Sequence, residues 1–201
     1  MQLKKKKKKK EENQWILRST ASFYLGGGAT GKTAIGLRFV SDIAYTEYCG
    51  TTEETYEKTV EVNGRQCLLK IFDTGGQEEF SSLRDSYVEA AQGFVIVYSV
   101  TSPSSLIEAE ALYELVVRKK GTRDIPIVLV GNKCDLEGER QVSTVQGENL
   151  ARKIICPFFE ASAIENIRVS DVFTTIVREI DAHPLVEESR WDRFTRLFKK
   201  G

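Results

Sequence analysis

The chain has 201 residues, of which 41% are hydrophobic and 29% are charged, and its formal net charge is zero. This length can bury the core of one domain with a tail at each end, and the composition is that of an ordinary globular protein. A zero net charge gives no argument for a nucleic-acid binder, so no nucleic-acid partner is expected. The four cysteines show no CxxC pair and no metal-ligand spacing, which favours reduced thiols in a cytoplasmic protein.

Three segments are expected along the chain. Residues 1–14 are polar and of low complexity, and they are predicted to be a disordered polybasic tail. Residues 15–181 alternate strand-like and helix-like patterns and are predicted to form one domain. Residues 182–201 are predicted to be a basic, amphipathic C-terminal tail. No apolar stretch approaches the roughly 20 residues needed to span a bilayer.

Periodicity predicts the elements of the central segment. Continuous apolar runs are typical of buried parallel strands, and they occur at residues 23–25, 94–100 and 125–130. Amphipathic stretches of helical length occur at residues 33–42, 104–119, 145–154 and 169–180. Two β-rich runs, residues 55–62 and 65–73, flank Asn63-Gly64, which is the strongest two-residue hairpin signal. The pattern predicts an α/β fold with a doubly wound, mostly parallel six-stranded sheet, one antiparallel edge hairpin and helices on both faces.

A glycine-rich segment follows the first apolar run and opens the first predicted helix. It fits the pattern GxxxxGK[ST] and predicts a P-loop NTPase whose phosphate-binding residues are Gly26, Gly27, Gly28, Ala29, Thr30, Gly31, Lys32, Thr33 and Ala34. Backbone N–H groups of such a loop can surround phosphate oxygens, and the dipole of the following helix attracts the same anion. Lys32 would neutralise charge on the β- and γ-phosphates, and the Thr33 hydroxyl would ligate Mg²⁺. The alternative is a glycine-rich turn that happens to precede Lys-Thr.

Two later segments carry candidate sensors of the γ-phosphate. Asp73 ends the second hairpin run, where a carboxylate could hold Mg²⁺ through water. Gly76 leaves room for a backbone N–H to approach the γ-phosphate, and Gln77 can orient a water molecule for in-line attack. Thr51 could complete the Mg²⁺ shell, although the adjacent Thr52 leaves an ambiguity of one residue. The alternative for this polar stretch is an ordinary surface loop.

Two further segments are candidates for reading the base. Asn132 and Lys133 come directly after an apolar run, and Asp135 follows them. A carboxylate in the base plane accepts from both N1–H and the 2-amino group of guanine, whereas adenine would leave that carboxylate unpaired. Asn132 would tie the loops together, and the Lys133 stem would lie along the base. The backbone of Ser162 and Ala163 could donate to the guanine O6. A polar loop without a ligand is the alternative.

The motifs GGGATGKT, YCGTTEETY, DTGGQEEF, NKCD and EASA stand in the order and spacing of small GTPases, and the chain resembles the Ras family over roughly residues 20–181. The resemblance implies a switch that binds GTP or GDP with Mg²⁺ and hydrolyses GTP slowly. It implies that Lys32, Thr51, Gly76 and Gln77 act in catalysis, and that Thr33, Thr51 and Asp73 serve the metal. The stretch from Tyr48 to Tyr56 would be switch I, and residues 75–87 would be switch II. Implied partners are effector proteins at switch I, a GTPase-activating protein and a nucleotide exchange factor.

Four positions depart from the family pattern. Gly75 replaces the usual Ala, which adds backbone freedom in switch II, and Gly50 replaces the usual Pro beside Thr51. Ile164 stands where the family prefers Lys, which puts one contact to the base in question. The aromatic residue that usually stacks on guanine aligns with Ala44, and its two chain neighbours are alternatives.

Two other functions compete with this interpretation. A nucleotide-gated binding module with little or no hydrolysis would be locked by the Gly75 and Gly50 changes, but the retained Gln77 and Gly28 argue against it. A P-loop kinase or ATPase is disfavoured by Asp135. No arginine is placed in sequence as a cis finger, so unassisted turnover is expected to be slow.

The tails suggest an anionic membrane surface as a further partner, at the inner face of a membrane. Trp191, Phe194, Leu197 and Phe198 share a helical face interleaved with basic residues, and residues 4–10 are all lysine. A C-terminal helix docked on the domain and a solvated lysine tail are the alternatives. It is equally compatible with the sequence that the chain stops before a lipidation site.

Overall fold

The computed structural model of the chain describes residues 18–44, 53–74 and 81–183. The strands within these ranges are β1 (Arg18–Leu25), β2 (Glu53–Val62), β3 (Arg65–Thr74), β4 (Gly93–Ser99), β5 (Ile127–Asn132) and β6 (Phe158–Ala161). The α-helices within them are α1 (Lys32–Ser41), α2 (Ser81–Ala90), α3 (Pro103–Lys120), α4 (Thr144–Ile154) and α5 (Val169–Ala182). A short 3₁₀ turn occupies Glu137–Glu139.

These strands form one sheet in the order β2-β3-β1-β4-β5-β6. Every neighbouring pair is parallel except β2 and β3 at one edge. The α/β class, the mostly parallel sheet and the antiparallel edge pair are therefore as the sequence predicts. The strand order reverses at β1, because β3 lies on one side of it and β4 on the other. In open α/β sheets, ligands bind outside the carboxyl ends of the strands at such a reversal.

The edge hairpin follows from its two turn residues. Val62 and Arg65 face each other across the antiparallel ladder, which leaves Asn63 and Gly64 as the loop. Both have positive φ, 52° and 71°, as a type I′ turn requires. The hairpin prediction is confirmed.

Helices cover both faces of the sheet, because the side chains of its central strands alternate between two cores. One core joins α1 and α5 to the sheet through Ile35, Phe39, Val95, Val97, Phe173 and Ile176. The other core joins α2, α3 and α4 through Val88, Phe94, Ile96, Tyr113 and Leu150. The rings of Phe39 and Phe173 stack with centroids 3.7 Å apart. No helix within the described ranges is both long and apolar enough to cross a membrane.

The differences from the periodicity include the starts of β1 and β5 and the whole of helix α2. β1 begins at Arg18, earlier than predicted, because buried polar residues extend it: the Cys67 thiol donates to the Thr20 hydroxyl at 3.1 Å. β5 begins at Ile127, because Pro126 has no N–H for the ladder, although its carbonyl accepts from Phe94 at 2.9 Å. Helix α2 was not predicted, since its sequence is largely polar.

Candidate functional site

The predicted motifs converge at one edge of the sheet. The phosphate loop follows β1, Asp73 lies near the end of β3, Asn132 ends β5 and Ser162 follows β6. These strands run parallel, so their carboxyl ends lie at the same edge. The fold therefore brings segments that are far apart in sequence to one edge of the sheet.

Close packing fixes the path of the phosphate loop. A Cβ atom on Gly26 would lie 2.3 Å from the Val97 carbonyl oxygen on β4, so no larger residue fits there without backbone movement. Gly31, the N-cap of α1, has φ +88°, and a Cβ on it would lie 2.3 Å from the Asn132 amide nitrogen. Gly31 also provides no side chain to accept from the first-turn N–H groups of α1. These features suit an anion at the start of the helix.

Lys32 folds back over this loop. Its Nζ donates to the carbonyl oxygens of Gly26 at 2.9 Å and Gly27 at 2.8 Å, and only 7% of the residue is exposed. Burial lowers the pKa of Lys32 to about 8, while the nearby carboxylates of Asp73 and Glu108 act in the opposite direction. The Thr30 hydroxyl also donates to the Gly27 carbonyl, at 3.1 Å. The ammonium group is therefore held at the loop by neutral carbonyls.

Asp73 is a buried carboxylate beside the same loop. It is 0% exposed, and neither of its oxygens accepts a hydrogen bond of normal geometry from the described residues. Burial raises the pKa of Asp73, the nearby Thr33 hydroxyl and the Lys32 ammonium lower it, and the Glu54 carboxylate raises it. Such a group is unfavourable unless a cation compensates it.

Mg²⁺ fits this donor set, because it prefers hard oxygen ligands such as the Asp73 carboxylate and the Thr33 hydroxyl. The described residues contain no cluster of three or more His, Cys, Asp or Glu side chains placed to hold a metal ion. Mg²⁺ is usually bound through one or two protein groups together with water and phosphate oxygens.

Asn132 links the loop predicted to read the base (the base-side loop) to the phosphate loop. Its side-chain N–H donates to the Thr30 carbonyl at 2.9 Å, and only 2% of the residue is exposed. Its side-chain oxygen is buried and has no hydrogen-bond partner within the described ranges. Lys133 has a left-handed backbone with φ 67°, and the half-buried Asp135 follows two residues later. The Asn-Lys-Cys-Asp loop is thus attached to the phosphate loop.

The segment after β6 is held in a tight turn. The Ser162 N–H and carbonyl pair with the carbonyl and N–H of Ile167, at 3.1 and 3.0 Å, and the Ser162 hydroxyl accepts from the Glu165 N–H at 3.0 Å. Ser162 and Ala163 are both buried. The Cys134 N–H donates to a β6 carbonyl at 3.2 Å, so the two base-side segments are joined through the backbone.

Arg38 on α1 was not anticipated. Its Nε donates to the Ala163 carbonyl at 2.7 Å, and its Nη2 donates to the Ile164 carbonyl. An arginine on an amphipathic helix looks like a surface residue in sequence, and no local pattern indicates a partner 125 positions away. Arg38 therefore supports the base-side turn from the phosphate-side helix.

Several predicted residues lie outside the described ranges: Thr51, Thr52, Gly50, Gly75, Gly76, Gln77, Tyr48, Tyr45, the tail at 1–14 and residues 184–201 of the C-terminal tail, whose first residue, Ala182, ends α5. Their assignments stay predictions. Of the candidates for stacking on the base, Ala44 and Ile43 are exposed, and Ile43 is 60% accessible.

A model of the Ras family matches residues 23–182, which is well over half of the chain. The match begins within β1 and ends with α5. It therefore covers the whole sheet except the start of β1, together with every motif described above.

Proposed function

This chain belongs to the Ras family of small GTPases, and from that premise we propose that it binds GTP or GDP with Mg²⁺ and hydrolyses GTP slowly. Family membership supports a nucleotide-binding switch. We further propose that the bound nucleotide sets the conformation of switch I and switch II. Effectors, an activating protein and an exchange factor would act through these two segments.

The observation that carries this proposal is the combination of opposite charges at one loop. Lys32 brings an ammonium group to a glycine-rich loop at the start of a helix. Asp73 lies close by as a buried carboxylate, near the Thr33 hydroxyl and the Lys32 ammonium. An anion at the loop and a cation at Asp73 satisfy both groups at once. A magnesium-bound nucleoside triphosphate has this pair of charges.

The roles of the residues follow from this arrangement. Lys32 binds β- and γ-phosphate oxygens in place of its present carbonyl acceptors. Thr33, Asp73 and Thr51 would hold Mg²⁺, which supplies charge neutralisation on the phosphate oxygens. Gln77 orients a water molecule, whose oxygen forms a bond to the γ-phosphorus while the bond to the β–γ bridging oxygen breaks. The products are GDP and inorganic phosphate.

The contacts of Arg38, the one arginine on α1, are consistent with slow turnover of GTP in the absence of a partner. Arg38 is engaged by carbonyls of the base-side turn and not by the phosphate loop. An arginine that stabilises the transition state is worth about 10³- to 10⁵-fold in small GTPases. We therefore propose that an activating protein supplies that arginine in trans.

Base choice is the sharpest test of the proposal. Asp135 should make the protein prefer GTP over ATP by at least about 10³-fold, because adenine leaves the carboxylate unpaired. Asp135→Asn should transfer the preference to xanthine nucleotides, whose 2-carbonyl accepts from the new amide. Competition for binding among GTP, ATP and XTP measures both effects. Glu139→Gln, a charge loss in the exposed turn that follows, should keep the parental preference. Equal affinity of the parent for ATP and GTP would overturn the proposal.

A further inference from the structure

A second carboxylate reaches the phosphate loop from another element. Glu108 lies in the second turn of α3, and its Oε2 stands 1.7 Å from the position that a Cβ on Gly27 would occupy. Its Cδ is 2.9 Å from the same position. The carboxylate therefore takes the space that a side chain at Gly27 would need.

Gly27 also binds the positively charged group of the loop, the Lys32 ammonium. Its carbonyl accepts from Lys32 Nζ at 2.8 Å, so the ammonium and the Glu108 carboxylate lie against the same residue. Charge attraction from Glu108 favours the charged form of Lys32 and raises its pKa, against the larger effect of burial. No hydrogen bond or close ion pair among the described residues holds Glu108 elsewhere. Its exposed side chain makes it dispensable for the core.

We propose that Glu108 is an electrostatic brake on nucleotide binding: its carboxylate offsets the positive potential at the phosphate loop, weakens nucleotide affinity and speeds nucleotide release. The inference rests on the proposed function and concerns the regulation of the same site. It identifies a residue of α3 that sets how long nucleotide stays bound, without contacting the base.

The size of the effect follows from Coulomb's law. A carboxylate near the multiply charged phosphates opposes binding, but its exposure to water screens the interaction. The effect should therefore be modest and sensitive to salt. By contrast, a loss of packing would persist at high salt.

The test compares GDP release from the parent and from Glu108→Gln, which has nearly the same shape without the charge. We expect release to be about three- to tenfold slower in the variant at roughly 0.01 M salt, and the difference to shrink towards 1 M salt, where the Debye length is about 3 Å. Glu110→Gln removes the same charge two residues along α3, from a side chain that pairs with Lys153, and should release GDP at the parental rate.

A second variant tests the contact itself. In Gly27→Ala the new Cβ meets the flexible end of Glu108, so the carboxylate must move away. Glu108→Gln should therefore change GDP release less in the Gly27→Ala background than in the parent, which is a non-additive pair.

The outcomes separate the two proposals. A parent that holds GDP, together with a Glu108→Gln variant that releases it at the parental rate or faster at low salt, would overturn the brake alone. A parent that binds no guanine nucleotide would overturn the proposed function and the brake together.

Discussion

At the scale of one residue, Asp73 illustrates how a group suited to binding a cation can destabilise the folded, nucleotide-free protein. A buried carboxylate is costly in the unliganded protein, and the nearby Thr33 hydroxyl and Lys32 ammonium offset only part of that cost. Burial raises its pKa above the ordinary value of 3.8. The folded state therefore binds this proton more tightly than the unfolded state does, so the residue's contribution to stability falls as pH rises above 3.8. At neutral pH the residue destabilises the nucleotide-free fold.

Asp73→Asn should therefore stabilise the nucleotide-free protein while it weakens the metal site. We expect a gain of about 1–3 kcal/mol in the free energy of unfolding at neutral pH, measured in urea with a chelator present. GDP release should at the same time lose most of its dependence on Mg²⁺. Glu61→Gln, an exposed charge loss on β2, should change neither quantity. A less stable nucleotide-free Asp73→Asn protein would show that the favourable effects of Thr33 and Lys32 outweigh the cost of burying the carboxylate.

At the scale of elements, the sequence predicts well where local chemistry decides. Asn63-Gly64 predicts its hairpin because a type I′ turn needs positive φ at both positions, and both have it. The four predicted helical stretches all occur as α-helices. α2 escapes prediction because its sequence is largely polar; among its described side chains, Val88 and the Tyr87 ring that stacks on Phe72 contact the core. The pattern of a short polar helix gives no amphipathic signal strong enough to find it.

Helix caps offer a test at the same scale. Ser143 forms a capping box at the start of α4: its N–H donates to Gln146 Oε1 at 2.8 Å, and its hydroxyl accepts from the Gln146 N–H at 3.4 Å. Ser102 occupies the N-cap of α3 without a side-chain cap bond. Ser143→Ala should therefore lower the free energy of unfolding by about 1 kcal/mol, and Ser102→Ala by clearly less. Urea unfolding under identical nucleotide conditions measures both variants, and an equal loss in the two would contradict the capping argument.

At the scale of the whole molecule, the site is a set of contacts between distant segments. Asn132 joins the base-side loop to Thr30, and Arg38 joins α1 to the Ala163 turn. Motif spacing predicts that Lys32 and Asn132 belong to the site, because each lies in a short motif that can be recognised from neighbouring residues. Arg38 and Glu108 could not be predicted, because their roles depend on tertiary distances that no local pattern contains. The helical pattern of the sequence places both residues on a polar face and indicates no partner for either.

The proposed function requires that this protein hydrolyses GTP and not ATP, and single-turnover hydrolysis with each nucleotide measures both activities. We predict slow cleavage of GTP, on the order of 10⁻⁴ to 10⁻³ s⁻¹ without a partner, and no measurable cleavage of ATP. Gln77→Leu should slow cleavage further and leave GDP affinity unchanged, because the side chain acts on water and not on the bound nucleotide. Cleavage of ATP as fast as GTP would contradict the proposed guanine specificity. Tight GTP binding without cleavage, unchanged by Gln77→Leu, would leave a nucleotide-gated binding module in its place.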